Sequence, residues 1–134
     1  MPDQPQPALH NNIAYLYYQC LNDPARGITH ARRAVLESPG NPQFLDTLGE
    51  LSLRLYQKTK DQAALEEAER RLTQALTVGN LHASRVNMAE VFVERGDSVR
   101  ASALLRELLN DTSTPPELLT RVKGLQERLA TSAG

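Results

Sequence analysis

The chain has 134 residues, which fits one domain, and 40% of them are hydrophobic although only 4% are aromatic. Its core must therefore consist of Leu, Ala, Val and Ile side chains, the usual filling of packed helices. Fifteen basic residues against sixteen acidic ones leave a net charge of −1, which gives no electrostatic reason to expect nucleic acid as a partner.

Residues 1–7 contain three prolines and neither a basic start nor an apolar run, so they do not predict a signal peptide. We interpret them as an extended linker, in a chain cut from a longer protein with Met1 added in cloning. No later apolar stretch approaches the roughly 20 residues that span a bilayer, so direct membrane insertion is not expected. The compartment of this soluble domain stays open between cytoplasm and periplasm.

Helical periodicity dominates the rest of the chain. The first helix places apolar residues on one face at steps of three and four: Leu9, Ile13, Leu16 and Cys20. Cys20 is therefore expected to be a buried filler rather than a nucleophile. Turn-forming runs at 22–24 and 38–42 bound a second helix.

A third and a fourth helix follow, and Asp61 is a suitable N-cap for the fourth because its carboxylate can accept hydrogen bonds from first-turn amides. On the polar side of this helix, Glu66 with Arg70 and Glu67 with Arg71 stand four residues apart, which predicts two ion pairs.

A fifth helix is predicted over about 83–94, and a glycine-containing turn separates it from a sixth. Two consecutive prolines suit the first turn of a seventh helix over about 115–130. Residues 131–134 are expected to be a disordered tail. No segment shows the alternation typical of a strand, so the sequence predicts an all-α fold of about seven helices.

The helices form three similar hairpins, at roughly 8–41, 42–80 and 81–113, before the last helix. Small residues recur where two helices should come closest, three in the first helices and three in the second: Ala14, Gly49 and Ala89, then Gly27, Ala68 and Ala101. The first three lie 35 and then 40 residues apart, near the period of about 34 residues of tetratricopeptide repeats.

Over residues 8–130 the chain resembles the tetratricopeptide repeat family. That pattern has a bulky residue, Leu, a small residue and an aromatic in the first helix, then Ala, a bulky residue, Ala and Pro. It falls on three sets: His10, Ile13, Ala14, Tyr17, Gly27, Ala31, Ala34 and Pro39; Leu45, Leu48, Gly49, Ser52, Ala68, Leu72, Ala75 and Asn80; Arg85, Met88, Ala89, Phe92, Ala101, Leu105, Leu108 and Ser113. The chain departs from it at His10, Ser52 and Arg85 and at two missing prolines.

The resemblance implies a right-handed superhelical stack of antiparallel hairpins, an α-solenoid, with the seventh helix as its cap. A generic helical bundle is the alternative fold. In such a stack the first helices line a concave groove that binds peptides. The residues expected to be exposed in that groove are Asn11, Asn12, Tyr15, Tyr18, Gln19, Asp46, Glu50, Leu53, Arg54, Val86, Asn87, Glu90, Val93 and Glu94.

Four of these groove positions are acidic: Asp46, Glu50, Glu90 and Glu94. They favour a protein or peptide ligand with Lys or Arg, while Asn12 and Asn87 are suited to hydrogen-bonding its backbone. Tyr15 and Tyr18 are rigid amphipathic side chains of the kind enriched at binding hot spots. The alternative is that all of these are ordinary solvated side chains.

No catalytic, cofactor or metal site is predicted. His10, His30 and His82 are far apart in the sequence and have no partner at metal spacing. No phosphate loop, nucleophile elbow or zinc-protease motif occurs. We therefore do not expect an enzyme.

The leading expectation is a non-catalytic protein–protein interaction module that binds a peptide or partner segment. The alternative is an assembly segment, a homo-oligomer or part of a longer repeat array, which stacks through an apolar end around Leu9, Leu16 and Leu21. By family analogy, runs such as 9–16 and 44–50 resemble bacterial repeat proteins of envelope assembly, secretion or polysaccharide export.

Overall fold

The computed structural model describes residues 6–133, which form seven α-helices and no strand. The helices are α1 (Pro7–Gln19), α2 (Pro24–Glu37), α3 (Pro42–Thr59), α4 (Gln62–Val78), α5 (His82–Glu94), α6 (Ser98–Asn110) and α7 (Pro116–Ala133). The all-helical prediction is therefore confirmed for this part of the chain. The predicted linker falls largely on residues 1–5, which lie outside the described residues, as does Gly134 of the predicted tail. The rest of that tail continues α7.

Local sequence signals mark the beginnings of the helices, although the sequence predicts Pro7 in the linker and Pro24 and Pro42 in turns. Prolines occupy the first turn of α1, α2 and α3, where the missing amide donor would have no partner within the helix. Asp61 caps α4 as expected, accepting a hydrogen bond from the amide of Ala63 at 3.0 Å. Asn41 caps α3 with two such bonds, and Asp23 and Asp97 cap α2 and α6 in the same way.

Small residues bring the helices of a hairpin together. A Cβ atom added to Gly27 would lie 2.7 Å from the carbonyl oxygen of Ala14, and one added to Gly49 would lie 2.6 Å from Cγ of Leu72. The approach of α2 to the α1 backbone therefore requires glycine at Gly27, whereas a methyl group at Gly49 would displace the Leu72 side chain between α3 and α4. Ala89 and Ala101, the matching residues of α5 and α6, are fully buried.

The odd-numbered helices form one layer, because α1 contacts α3, α3 contacts α5 and α5 contacts α7. Each even-numbered helix packs against the odd-numbered helices before and after it. Within residues 6–133, no even-numbered helix approaches another closely along its backbone. Only side chains bridge α2 and α4, through Arg32 and Glu67 at 2.8 Å.

Three clusters of apolar side chains run along this arrangement, and the last of them includes Val122 and Leu125 of α7. Two sequence-based expectations are corrected here. Cys20 is exposed instead of buried. Of the two predicted ion pairs in α4, Glu67–Arg71 is present at 3.2 Å, whereas Arg70 pairs with Glu67 instead of Glu66.

Candidate binding site

Most of the predicted groove residues lie in the layer of odd-numbered helices, where they form a continuous polar network. Glu50 and Arg54 stand one turn apart on α3, and Asn87, Glu90 and Glu94 share one side of α5 by their spacing of three and four residues. Long-range contacts between α1, α3, α5 and α7 then join these side chains. We call these joined side chains the polar network; its members are Tyr15, Asp46, Glu50, Arg54, Gln57, Ser84, Asn87, Glu90, Glu94, Arg121 and Arg128.

Glu90 is the centre of the polar network. It is only 7% exposed, and its carboxylate accepts hydrogen bonds from Arg54 at 2.7 Å, Gln57 at 2.6 Å and Arg121 at 2.8 Å. Burial by itself would raise the pKa of Glu90, but the hydrogen bond and charge of Arg54, with Gln57 and Arg121, lower it to about 2. Glu90 is therefore a fully compensated buried anion.

The network extends from Glu90 to both ends of the layer. On one side Arg54 also forms an ion pair with Glu50 at 3.6 Å, and Glu50 accepts a hydrogen bond from the Tyr15 hydroxyl at 3.3 Å. Burial, and next the charge of Glu50, raise the pKa of Tyr15, so the hydroxyl stays protonated. On the other side Glu94 accepts from Gln57 at 2.8 Å and Arg128 at 3.1 Å.

Asp46 is as buried as Glu90, at 5% exposure, but it is compensated differently. Its Oδ1 accepts hydrogen bonds from Ser84 at 2.8 Å and Asn87 at 3.1 Å. No ion pair among the described residues includes it. Burial raises the pKa of Asp46 to about 6, against the lowering effect of these two hydrogen bonds. Asp46 is therefore a buried carboxylate without a cation at ion-pair distance, although the charge of Arg121 acts on it from farther away and lowers its pKa.

A cavity of about 390 Å³ opens beside Asp46. It lies between the middle of α1 and the beginnings of α3, α5 and α7, and side chains that line it include Asn11, Tyr15, Asp46, Thr47, His82 and Leu118. The Asn11 amide makes no hydrogen bond with any described residue, and its Oδ1 is buried without a partner. The cavity thus brings together three of the sequence-predicted residues, Asn11, Tyr15 and Asp46.

A larger cleft of about 480 Å³ lies between α6 and α7. Arg106 is the one charged residue on its wall, and none of the sequence-predicted residues lines it. Volume alone favours this cleft, but the buried carboxylate without an ion pair favours the cavity at Asp46, because buried ionisable groups with shifted pKa values are typical of functional sites.

The structure corrects the exposure expected for several predicted residues. Asp46, Asn87 and Glu90 are buried instead of exposed, and so are Leu53 and Val86. Tyr15, Tyr18, Glu50, Arg54, Val93 and Glu94 are half-buried. Asn12 and Gln19 are exposed, but their spacing places them on the side of α1 that carries Leu9 and Leu16, away from the polar network.

Four members of the polar network were not predicted from the sequence: Gln57, Ser84, Arg121 and Arg128. Arg121 and Arg128 stand seven residues apart on α7, a spacing that puts two side chains on one helix face. That spacing could have indicated that the last helix supplies polar contacts to the network in addition to acting as a cap. Nothing local distinguishes Gln57 or Ser84 from a solvated side chain.

Two of the histidines pack against each other. His10 and His30, far apart in sequence, meet between α1 and α2 with their Nδ1 atoms 3.3 Å apart, and Tyr17 stacks on His30. Within the described residues no group of three or more His, Cys, Asp or Glu side chains could hold a metal ion. None of the described helices has the length and apolarity needed to cross a membrane.

Comparison of the chain with protein-family models, with curated proteins and with solved structures found no match. The layer of odd-numbered helices, the polar network and the cavity at Asp46 are therefore the observations from which function must be argued.

Proposed function

We propose that this chain is a non-catalytic protein–protein interaction module of the tetratricopeptide type, which binds a peptide or partner segment along its odd-numbered helices. The observation that carries the proposal is the asymmetry of the two layers. Odd-numbered helices contact one another, whereas even-numbered helices of the described chain stay apart. A stack that is crowded on one side and open on the other curves toward the crowded side, which favours a superhelix with the odd-numbered helices on its concave face.

The polar network supports a binding role because it holds the side chains of this face in fixed positions. Preorganised side chains lose little conformational freedom when a ligand binds, which favours affinity. Asp46, Asn87 and Glu90 act in this proposal as buried supports. Direct contacts come from the accessible groups around them: Asn11, Tyr15, Tyr18, Glu50, Arg54 and Glu94. Asn12 and Gln19 extend the contact surface at the edge of α1.

Peptide display followed by NMR mapping tests the proposal. Random 12-residue peptides are selected against the full chain, and a selected peptide is titrated into labelled protein. Amide shifts are expected on α1, α3 and α5. Shifts confined to α2, α4 and α6, or no selectable peptide, would contradict the proposal.

A matched pair of variants sharpens this test. Asn11→Arg places a long side chain in the cavity at a residue whose amide has no hydrogen bond to lose, and it is expected to weaken peptide binding by about tenfold. Thr29→Arg adds the same charge at an exposed position of α2 and should leave binding unchanged. Equal effects of both substitutions would argue against the face chosen here.

Self-association is a second candidate function, supported by α1. This helix contains no charged residue, so two copies can pair side by side without opposing like charges. Leu9 and Leu16 are 47% and 57% exposed on it, and Leu21 just beyond it is 65% exposed. Light scattering after size exclusion would show a dimer that Leu16→Glu dissociates and that Leu36→Glu, at a 77% exposed site on α2, leaves intact. A monomer at high concentration would exclude this candidate.

A further inference from the structure

We propose that the cavity between α1, α3, α5 and the beginning of α7 binds an organic cation, the guanidinium or ammonium group of an Arg or Lys side chain of a partner peptide, against the carboxylate of Asp46. This inference rests on the proposed function and names the ligand chemistry of one subsite within it.

The first step is that Asp46 has no cation at ion-pair distance among the described residues. A carboxylate removed from water is costly unless a positive group lies beside it. Glu90, in the same layer, has Arg54 and Arg121 within 2.8 Å. Asp46 has only the neutral donors Ser84 and Asn87, and both donate to Oδ1.

The second step is that the free oxygen of Asp46 has no competing donor inside the protein. No described residue donates a hydrogen bond to Oδ2, although Asp46 lines the cavity. The charge of Arg121 lowers the pKa of Asp46, but its guanidinium donates to Asn87 at 2.9 Å and to Glu90 at 2.8 Å and forms no ion pair with Asp46. A cation in the cavity would therefore supply what the chain itself does not.

The third step is the chemistry of the wall. The Tyr15 hydroxyl donates a hydrogen bond to Glu50, so its oxygen can accept one from a ligand. The unbonded Asn11 amide can present its oxygen to the cavity by rotation about χ2. Pro115 and Leu118 offer an apolar surface on which the methylene stem of Lys or Arg can pack.

The volume of the cavity and the negative charge of Asp46 both fit a single basic side chain. About 390 Å³ lies within the range of roughly 300–1,000 Å³ typical of ligand pockets and accommodates one long side chain. An anionic ligand would be repelled by Asp46, and a neutral one would leave its charge uncompensated. His82, also on the wall, is held by Asp111 and Ser113 at 3.2 and 3.0 Å and is not directed at Asp46 by either contact.

The experiment is an NMR titration of the full chain with single-residue probes. N-acetylarginine methylamide and N-acetyllysine methylamide carry the cation, and N-acetylcitrulline methylamide is the neutral analogue of the first. The cationic probes are expected to shift the amides of Asn11, Tyr15 and Asp46 with millimolar dissociation constants, and the citrulline probe to leave them unmoved. Equal shifts with citrulline would overturn the proposal.

Variants assign the effect to Asp46. Asp46→Asn keeps the shape and the Oδ1 acceptor but removes the charge, and it should weaken the arginine probe by about tenfold. Glu66→Gln removes an exposed carboxylate that is in no ion pair among the described residues and should change nothing. Asn11→Ala, at an amide with no hydrogen bond to lose, should weaken the probe about threefold. Retained affinity in both Asp46→Asn and Asn11→Ala would refute the site.

Two further measurements distinguish a free small amine from a peptide side chain as the ligand, and failure of the cation site from failure of the proposed function. Agmatine, a free guanidinium amine, should bind no more tightly than the arginine probe; markedly tighter binding would make a small amine the ligand and overturn the peptide source. A displayed peptide that contains Lys or Arg and binds α1, α3 and α5 but leaves the Asp46 region unshifted would overturn the cation site while leaving the proposed function standing.

Discussion

The surroundings of Glu90 and Asp46 differ sharply although both carboxylates lie in the same helical layer. Glu90 is 7% exposed and Asp46 5%, yet three nitrogen donors from cationic or amide side chains surround the first and two neutral donors bond the second. The pKa of Glu90 is lowered to about 2, and that of Asp46 is raised to about 6. Burial alone therefore does not decide the state of a carboxylate; the positive partner does.

The two groups must also respond oppositely to pH. Glu90 has a folded-state pKa below its ordinary value, so its contribution to stability is present above about pH 4.5 and is lost as the pH falls toward 2. Asp46 has a folded-state pKa above its ordinary value. It therefore favours the folded state most below about pH 3.8, and this contribution is lost as the pH rises to about 6.

The largest expected effect comes from removing the compensated carboxylate. Glu90→Ala leaves Arg54 and Arg121 partly buried without their shared anion, and we expect the free energy of unfolding at pH 7 to fall by about 3 kcal/mol. Urea denaturation followed by circular dichroism measures this. Glu107→Gln, which removes an exposed partner of Arg85, is the control and should change stability by less than about 0.5 kcal/mol. A similar small loss for both variants would contradict the role given to Glu90.

The second effect has the opposite sign. Asp46→Asn keeps both hydrogen bonds at Oδ1 but removes the uncompensated charge, so at pH 7.5 it should stabilise the chain by about 1–3 kcal/mol. Near pH 3.5, where Asp46 is already protonated, wild type and variant should be nearly equal. Urea denaturation across this pH range checks the prediction, with Glu66→Gln as a control. A variant that is less stable than wild type at pH 7.5 would show that Asp46 is compensated after all.

A smaller effect should follow from replacing Arg121, which links the surroundings of Glu90 to those of Asp46. Arg121 donates to Glu90 and to Asn87, which in turn donates to Asp46. Arg121→Ala leaves Arg54 and Gln57 on Glu90, so we expect a loss of only about 1–2 kcal/mol. Because the positive charge of Arg121 lowers the pKa of Asp46, the variant should also raise that pKa, which carboxyl NMR titration measures. An unchanged Asp46 titration would exclude this coupling.

The smallest effect is expected at the edge of the network. Arg128 approaches Glu90 at 3.8 Å and Glu94 at 3.1 Å, but it is largely open to solvent. Water screens such a pair, so Arg128→Ala should alter the free energy of unfolding by less than about 0.5 kcal/mol. A loss comparable to that of Arg121→Ala in the same urea measurement would mean that Arg128 belongs to the compensation of Glu90.

Most of the helical framework was accessible from the sequence because its signals are local. Apolar periodicity, the proline that begins α7 and the Asp61 cap each act within a few residues. Gly27 and Gly49 indicated the close approaches, since a small residue is needed wherever two helices touch. The charge balance and the uncharged α1 are likewise properties of composition.

The state of the polar side chains was decided by tertiary structure. Sequence spacing placed Asp46, Asn87 and Glu90 on the correct helices but predicted them exposed. Their partners come from other helices: Arg121 of α7 bonds Asn87 and Glu90, and Ser84 and Asn87 of α5 bond Asp46. A separation of 20 residues likewise hid the meeting of His10 with His30. A helix period fixes which residues share a face, whereas burial and charge compensation depend on which other helices cover that face, and those interactions act across space and not along the chain.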